Sequence, residues 1–521
     1  MTRPRFESAM WKRLFDMRRN SSATLQAQLR EVIVHAVLGR TIPAGGWLPS
    51  SRALAEILHV SRNTVTIAYE ALVDNGVLVS TPRLGYRVSP KLLHEAHDAP
   101  AAPPRRFGRP PDWATRLVDA PSCLPSVSKP LNWQDYAFPF VYGQFDASLF
   151  PVTAWREVNQ LAQRTMSVRE WAGDRVDTDD AMLVEQIQQR LLPRRGIWVS
   201  PDQILVTVGA QHAAYLIASL LLGPSCVVGA EEPGYPDIRN ICSRFGARIE
   251  MLPLDKFGLT SIDSAVGCDY VYVSPSHQNP TGATMPLARR EALLEAAAEQ
   301  DFVIIEDDYD SELVYEGAAT PAIKALDRDD RVIYIGSLSK TIAPGLRMGY
   351  MVGPTEFIKE ARAMRRLMMR HPPTNNQRAL ALFLSLGHHE ALIRKLILVY
   401  RARAQVLVDS LRDHLPNMSF VPPRGGSSLW LNAPPEVDMS RIAMRARTRG
   451  ILFDAGETFF SRTPPPKSYF RLGYSSMPTV RIAEGIRVLS QVIGAGDRGF
   501  GEPCRDPAAV SPAYREVGWK N

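Results

Sequence analysis

Six short apolar runs, separated by helical stretches, organise the middle of this 521-residue chain: Ile204–Val208, Cys226–Val228, Tyr270–Val273, Phe302–Ile305, Val332–Ile335 and Tyr350–Val352. Such alternation is the signature of an α/β fold, a mostly parallel sheet with helices on both faces. Ligands of such sheets bind beyond the carboxyl ends of the strands. Polar or charged groups stand at four of those ends or just beyond them. They are Val206-Thr207-Val208-Gly209-Ala210-Gln211, Ser274-Pro275-Ser276-His277-Gln278-Asn279-Pro280-Thr281-Gly282, Val303-Ile304-Ile305-Glu306-Asp307-Asp308-Tyr309 and Ile333-Tyr334-Ile335-Gly336-Ser337-Leu338-Ser339-Lys340, the last running on to Arg347.

The length exceeds what one hydrophobic core supports, so more than one domain is expected. The net charge of +7 is unevenly placed. Residues 1–90 hold twelve Lys/Arg against six Asp/Glu, whereas residues 131–521 are close to neutral. The first sixth of the chain is therefore the part suited to a polyanion. Five scattered cysteines suggest neither a disulfide framework nor a metal site. The longest apolar run, near Leu216 to Leu222, is far short of a membrane span, and no apolar stretch backs the basic start. A cytoplasmic protein with no membrane partner is the expectation.

Leu25, Leu29, Val32, Ile33 and Ala36 recur at helical spacing up to Gly39. After a loop rich in Pro and Gly, Ser50 or Ser51 can cap a helix from Arg52 to Leu58, and Ser61 can cap another that ends at Asn75-Gly76. Two helices joined by so short a turn form a helix-turn-helix, with Arg62, Asn63, Thr64 and Thr66 on the first turns of the second. Val77-Leu78-Val79 and Tyr86-Arg87-Val88 pair as a wing around Leu84-Gly85. The segments Leu48-Pro49-Ser50-Ser51-Arg52-Ala53-Leu54-Ala55 and Val60-Ser61-Arg62-Asn63-Thr64-Val65 resemble the winged helix of the GntR family, over residues 20–90. The resemblance implies DNA contacts from Arg52, Arg62, Asn63, Thr64 and Gly85. It implies none at Thr66, where relatives often have Arg.

Residues 91–130 are dense in Pro and Ala and read as an extended tether. An α/β body over 131–494 follows, and 495–521 is poor in core residues and reads as a disordered tail. Within the body each strand-end residue has a chemical use. Lys340 can form a Schiff base with an aldehyde if its amine is desolvated. Arg347, Ser337, Ser339 and the N–H groups of Gly209, Ala210 and Gln211 suit a phosphate. Asp307 can keep a pyridine nitrogen protonated, Tyr309 and Asn279 can reach a phenolic oxygen, and Tyr235 can cover a ring face. These are the needs of pyridoxal 5′-phosphate (PLP). Singly, Asp307 reads as well as a helix cap and Arg347 as a surface charge. His277 and Gln278 can merely satisfy their turn, and His212 reads as a helix-surface residue.

Taken in order, Gly-Ala-Gln, Asn-Pro-x-Gly, Asp-x-Tyr and Ser-x-Ser-Lys-x6-Arg resemble fold type I aminotransferases over residues 135–490. That resemblance places Arg471, in Phe470-Arg471-Leu472-Gly473-Tyr474, where an effector carboxylate is held. Two departures stand out: Trp171-Ala172-Gly173-Asp174 replaces a Tyr-Gly-Asp-Pro segment, and Asp237 stands where some relatives are basic. The fusion as a whole is similar to the MocR family of bacterial regulators. This implies a homodimer that binds double-stranded operator DNA and senses a small amine or amino-acid-like effector through an aldimine at the PLP site, with little or no turnover. An aminotransferase carrying an accessory DNA-binding module is the alternative, and Lys340 would be its catalytic residue.

Overall fold

The computed structural model describes residues 8–16, 24–39, 41–82, 84–90 and 111–494. The expected tether between 91 and 110 and the tail 495–521 lie outside the described residues. The chain divides into two units, Met1–Val118 and Asp119–Asn521.

In the first unit, four helices and a hairpin share one core. α1 (Ser8–Asp16), which the sequence reading did not anticipate, buries Trp11 and Phe15 against α2 (Leu25–Leu38) and α3 (Ser51–Leu58). Each large apolar side chain so buried contributes about 1.5–3 kcal/mol. Ser50 caps α3, accepting from the Ala53 N–H at 3.2 Å. His59, in the left-handed region at φ 53°, ends that helix. Ser61 caps α4 (Arg62–Asp74), accepting from the Thr64 N–H at 3.0 Å. Tyr69 on α4 donates to the Pro49 carbonyl at 2.9 Å and so fixes α4 against the chain entering α3. β1 (Leu78–Thr81) and β2 (Gly85–Val88) pair antiparallel as the wing. Gly85 opens β2 at φ +106°, a conformation that only glycine adopts without strain.

The first described strand of the second unit is β3 (Phe138–Pro139). Its main sheet has eight strands: β4 (Ile204–Thr207), β5 (Val227–Glu232), β6 (Arg248–Asp255), β7 (Gly258–Leu259), β8 (Tyr270–Val273), β9 (Val303–Asp308), β10 (Val332–Ser337) and β11 (Gly349–Val352). Their order is β4-β11-β10-β9-β8-β5-β6-β7. β6 through β10 run parallel by way of β5, β8 and β9, while β11 turns back between β10 and β4. The mostly parallel α/β sheet is thus present. β6 escaped the sequence reading because Pro253 and the polar side chains of this outer strand mask its pattern.

Alternation along β9 decides where the charges go. Glu306 and Asp308 face one side, where Glu306 accepts from the N–H groups of Ile323 and Lys324 at 2.8 Å each and Asp308 pairs with Arg195 at 2.7 Å. Asp307 faces the other side, with Ile305, toward the helix Ala210–Leu221. A smaller antiparallel sheet follows: β12 (Ser419–Phe420), β13 (Ser428–Asn432), β16 (Tyr469–Gly473) and β15 (Asp454–Ala455). β14 (Ile451–Leu452) pairs separately with β3. Among the described residues no helix is long and apolar enough to cross a membrane, and no cluster suits a metal ion.

Candidate functional site

A cavity of about 280 Å³ lies at the carboxyl ends of the parallel strands. Ala210, Gln211, Tyr235, Asn279, Asp307, Tyr309, Ser337, Ser339, Lys340, Arg347 and Arg471 all line it. Gly209 stands just behind, at the N-terminus of the helix Ala210–Leu221, which has no side-chain cap. The structure therefore brings together residues spread over more than 250 positions of sequence.

Lys340 follows β10 directly. Its ammonium stands 4.3 Å from the centre of the Tyr142 ring. Burial lowers its pKa to about 8, with Arg471 and Lys129 acting in the same direction and Asp310 and Asp307 opposing. Gly143 passes so close, at φ +69°, that a Cβ there would collide with the Lys340 Nζ. Asp307 accepts from the Tyr272 hydroxyl through Oδ2, while its buried Oδ1 has no partner. Burial pushes this carboxyl up to about 7, and the Tyr272 hydrogen bond and Lys340 pull against that.

Arg347 reaches back from the loop between β10 and β11 and donates to the Val208 carbonyl at 3.0 Å. It sits against Gly209, next to the free N–H groups of the helix start. The buried Ser339 Oγ has no partner. Tyr235 donates to Asp237 at 2.8 Å, and the Gln211 amide donates to the same carboxylate oxygen at 3.0 Å. Asp237 thus braces two cavity residues. Tyr309 spends its proton on the His277 carbonyl at 2.7 Å, leaving its oxygen as an acceptor. Gln278 satisfies its turn, accepting from Thr281, and His277 meets the Asp310 carbonyl.

His212 is half-buried rather than on the helix surface. Its Nδ1 accepts from the Val208 N–H at 3.0 Å, and burial, then Arg365 and Arg347, pull the imidazole down to about 4. Asp174, in the departing Trp171–Asp174 segment, is exposed and pairs with Arg370 and His371.

Arg471 in β16 is 2% exposed and already partnered. Its Nε and Nη2 donate to Asp454 Oδ2 at 3.0 and 2.8 Å, and Nη1 donates to Asn279 Oδ1 at 2.9 Å. Asp454 is its direct cross-strand neighbour on β15. The guanidinium also stacks 3.9 Å from the Tyr142 ring centre. With the Nε–Nη2 edge filled and one Nη1 hydrogen given to Asn279, one hydrogen each on Nη1 and Nη2 is left for an incoming carboxylate. Sequence reasoning missed Tyr142, Gly143, Tyr272, Asp454 and Lys129. Of these, Tyr142-Gly143, after the apolar run Phe138–Val141, and Asp454, after Ile451-Leu452-Phe453, left the local signal of a strand end.

In the first unit, Arg62 and Asn63 are exposed at the start of α4, and Arg52 is exposed on α3. Thr64 is half-buried, with its hydroxyl 2.8 Å from that of Ser61. Thr66 donates to the Arg62 carbonyl at 3.0 Å, so its hydroxyl is occupied within its own helix.

Two families match this chain: bacterial regulatory proteins, gntR family, over residues 25–88, and aminotransferase class I and II over residues 144–489. The chain is 39% identical over 471 residues to the HTH-type transcriptional regulator TauR of Rhodobacter capsulatus, covering 90% of this chain and 96% of TauR. It is 29% identical over 483 residues to the probable rhizopine catabolism regulatory protein MocR of Rhizobium meliloti, covering 90% and 94%. Among solved structures, a Pyrococcus horikoshii kynurenine aminotransferase in complex with PMP superposes with a TM-score of 0.64 at 28% identity, covering 69% of this chain and 91% of that one. LysN, an α-aminoadipate aminotransferase from Thermus thermophilus complexed with N-(5′-phosphopyridoxyl)-L-leucine, gives 0.66 at 25%, covering 74% and 98%.

The cofactor of this fold is PLP, and the cavity fits it. It offers a buried carboxylate oxygen without a partner, a desolvated lysine, and an uncapped helix start beside an arginine and two serines. With a gntR-family unit ahead of an aminotransferase class I and II unit, the chain belongs to the MocR-type family of HTH transcriptional regulators.

Proposed function

We propose that this regulator binds operator DNA as a homodimer in the bacterial cytoplasm and senses a small amine bearing an anionic group in the Lys340 cavity. The observation that carries the reading is the partnerless Asp307 Oδ1 facing the same cavity as a desolvated Lys340. When bound, PLP supplies an aldehyde that takes up primary amines and a ring that withdraws electrons.

The residues assigned to hold it are Asp307 for the ring nitrogen, Asn279 and Tyr309 for the phenolic oxygen and Tyr235 for one ring face. Gly209, Ala210, Gln211, Ser337, Ser339 and Arg347 are assigned to the phosphate. A pKa near 8 leaves roughly a tenth of Lys340 as free amine at pH 7, against well under one in a thousand at an ordinary lysine pKa. Arg471 offers its two remaining N–H groups to the effector's anion, the others being held by Asp454 and Asn279.

On the DNA side, Arg52, Arg62, Asn63, Thr64 and Gly85 are assigned as contacts. Two copies related by a two-fold axis would read two half-sites. An effector moves such a system only by its differential affinity for two arrangements, and a complete switch needs about 5.5 kcal/mol. The test is promoter-DNA affinity with and without amines, in the wild type and in Lys340→Ala. The variant is expected to bind DNA but to lose every amine-dependent change. An amine response that survives in the variant refutes the reading.

The second reading, an aminotransferase with an accessory module, draws on the same cavity. Steady ketoacid release from amino donors would favour it.

A further inference from the structure

We propose that the segment 125–129, at the end of the tether, forms a wall of the effector site, and that Lys129 joins Arg471 in taking the effector's anionic group. The assignment rests on the sensor reading above and deepens it.

Val127, Ser128 and Lys129 line the cavity together with Lys340 and Arg471. The chain from 119 to 129 is held at two points. Asn240 donates to the Pro125 carbonyl at 2.7 Å, and Arg244 pairs with Asp119. Ser126, Val127 and Ser128 also line a second cavity of about 300 Å³, shared with Met444 and Phe459. The segment is therefore a thin partition between two hollows. Its side chains are exposed, so little apolar burial holds it.

Among the cavity's cations, Lys129 is the one left without an assigned group. Asp454 compensates Arg471, Arg347 lies at the helix start assigned to the phosphate, and Lys340 is assigned to the aldehyde. Lys129 has no ion pair among the described residues, yet it is close enough to Lys340 to depress that amine's pKa. An anion entering the cavity meets Lys129 as its uncompensated cation. Because this lysine belongs to the chain that leads back to the DNA-binding unit, holding the anion also restrains the tether.

The experiment uses the full-length, PLP-loaded protein and isothermal titration calorimetry. The probes are β-alanine, 4-aminobutanoate and 2-aminoethanesulfonate, with n-butylamine as the neutral control. Loss of a charge-assisted contact is expected to weaken the anionic probes by about tenfold or more in Lys129→Gln. n-Butylamine affinity should change far less than that of the anionic probes, and Lys129→Arg should restore most of the loss. Amide hydrogen exchange across residues 119–130 should slow when an anionic probe binds the wild type.

If Lys129→Gln binds the anionic probes as the wild type does, or loses n-butylamine equally, the assignment is overturned while the sensor reading stands. If no primary amine binds the wild type at all, the sensor reading falls and the assignment falls with it.

Discussion

Asp454→Asn should tighten the binding of anionic amines while loosening the fold. Asp454 Oδ2 lies 2.8 and 3.0 Å from two nitrogens of Arg471. An effector carboxylate on the remaining edge of the same guanidinium would sit about 5–6 Å from it, across the fork. At an effective dielectric near 20, two like charges at that separation repel by roughly 3 kcal/mol. The Asp454 side chain is only 12% exposed, so water screens little of this. Asparagine keeps an oxygen for the Arg471 Nε and removes the charge. Affinity for a carboxylate- or sulfonate-bearing amine is therefore expected to rise about ten- to a hundredfold, with n-butylamine unaffected. Stability moves the other way, because a nearly buried Arg471 loses its counter-charge. Breaking a buried pair typically costs about 3–5 kcal/mol, and the retained oxygen holds the loss toward the lower end. Calorimetric titration and thermal unfolding of the same preparation read both effects. A folded variant whose affinity for anionic amines is unchanged would show that Arg471 does not meet the effector's anion.

Other outcomes follow from the same geometry. In cofactor-free protein, reductive methylation of Lys340 should accelerate as pH rises through about 8 and then level off, because only the neutral amine reacts and burial has lowered its pKa. A rate still climbing toward pH 10, as for surface lysines, would contradict this. Lys129→Gln should shift that midpoint upward, since Lys129 contributes to the depression. Arg62→Ala, at the exposed start of α4, should weaken operator binding by about 1–3 kcal/mol and lower the salt dependence of binding by about one counterion. Unchanged fluorescence-anisotropy titrations would remove Arg62 from the interface.

The sheet and most of the cavity were legible because each cofactor-type residue follows an apolar strand in sequence, so local pattern and tertiary position coincide. Asp307 shows the limit of that reading. Its place after an apolar run was visible, but its separation from Glu306 and Asp308 depends on strand alternation, and its pairing with Tyr272 on β8 has no sequence signal. Asp454 meets Arg471 only because β15 and β16 align, and Lys129 reaches the cavity only because Asn240 and Arg244 fix the tether end. Lys129 belongs to a stretch whose composition suggested only a linker, and Asp454, though it follows the apolar run Ile451-Leu452-Phe453, carries no local sign of its partner. α1 was missed for a different reason. Met10, Trp11, Leu14 and Phe15 recur at helical spacing, but over only nine residues and around Lys12 and Arg13, and their burial against α2 and α3 is a tertiary fact.

The most direct test of the whole account couples the two units in one titration. Cofactor absorbance and operator-DNA anisotropy are followed together as an amine is added to the PLP-loaded protein. If the Lys340 cavity governs the DNA-binding unit, both signals change with the same half-saturation. Absorbance that saturates while DNA affinity stays constant would contradict the account.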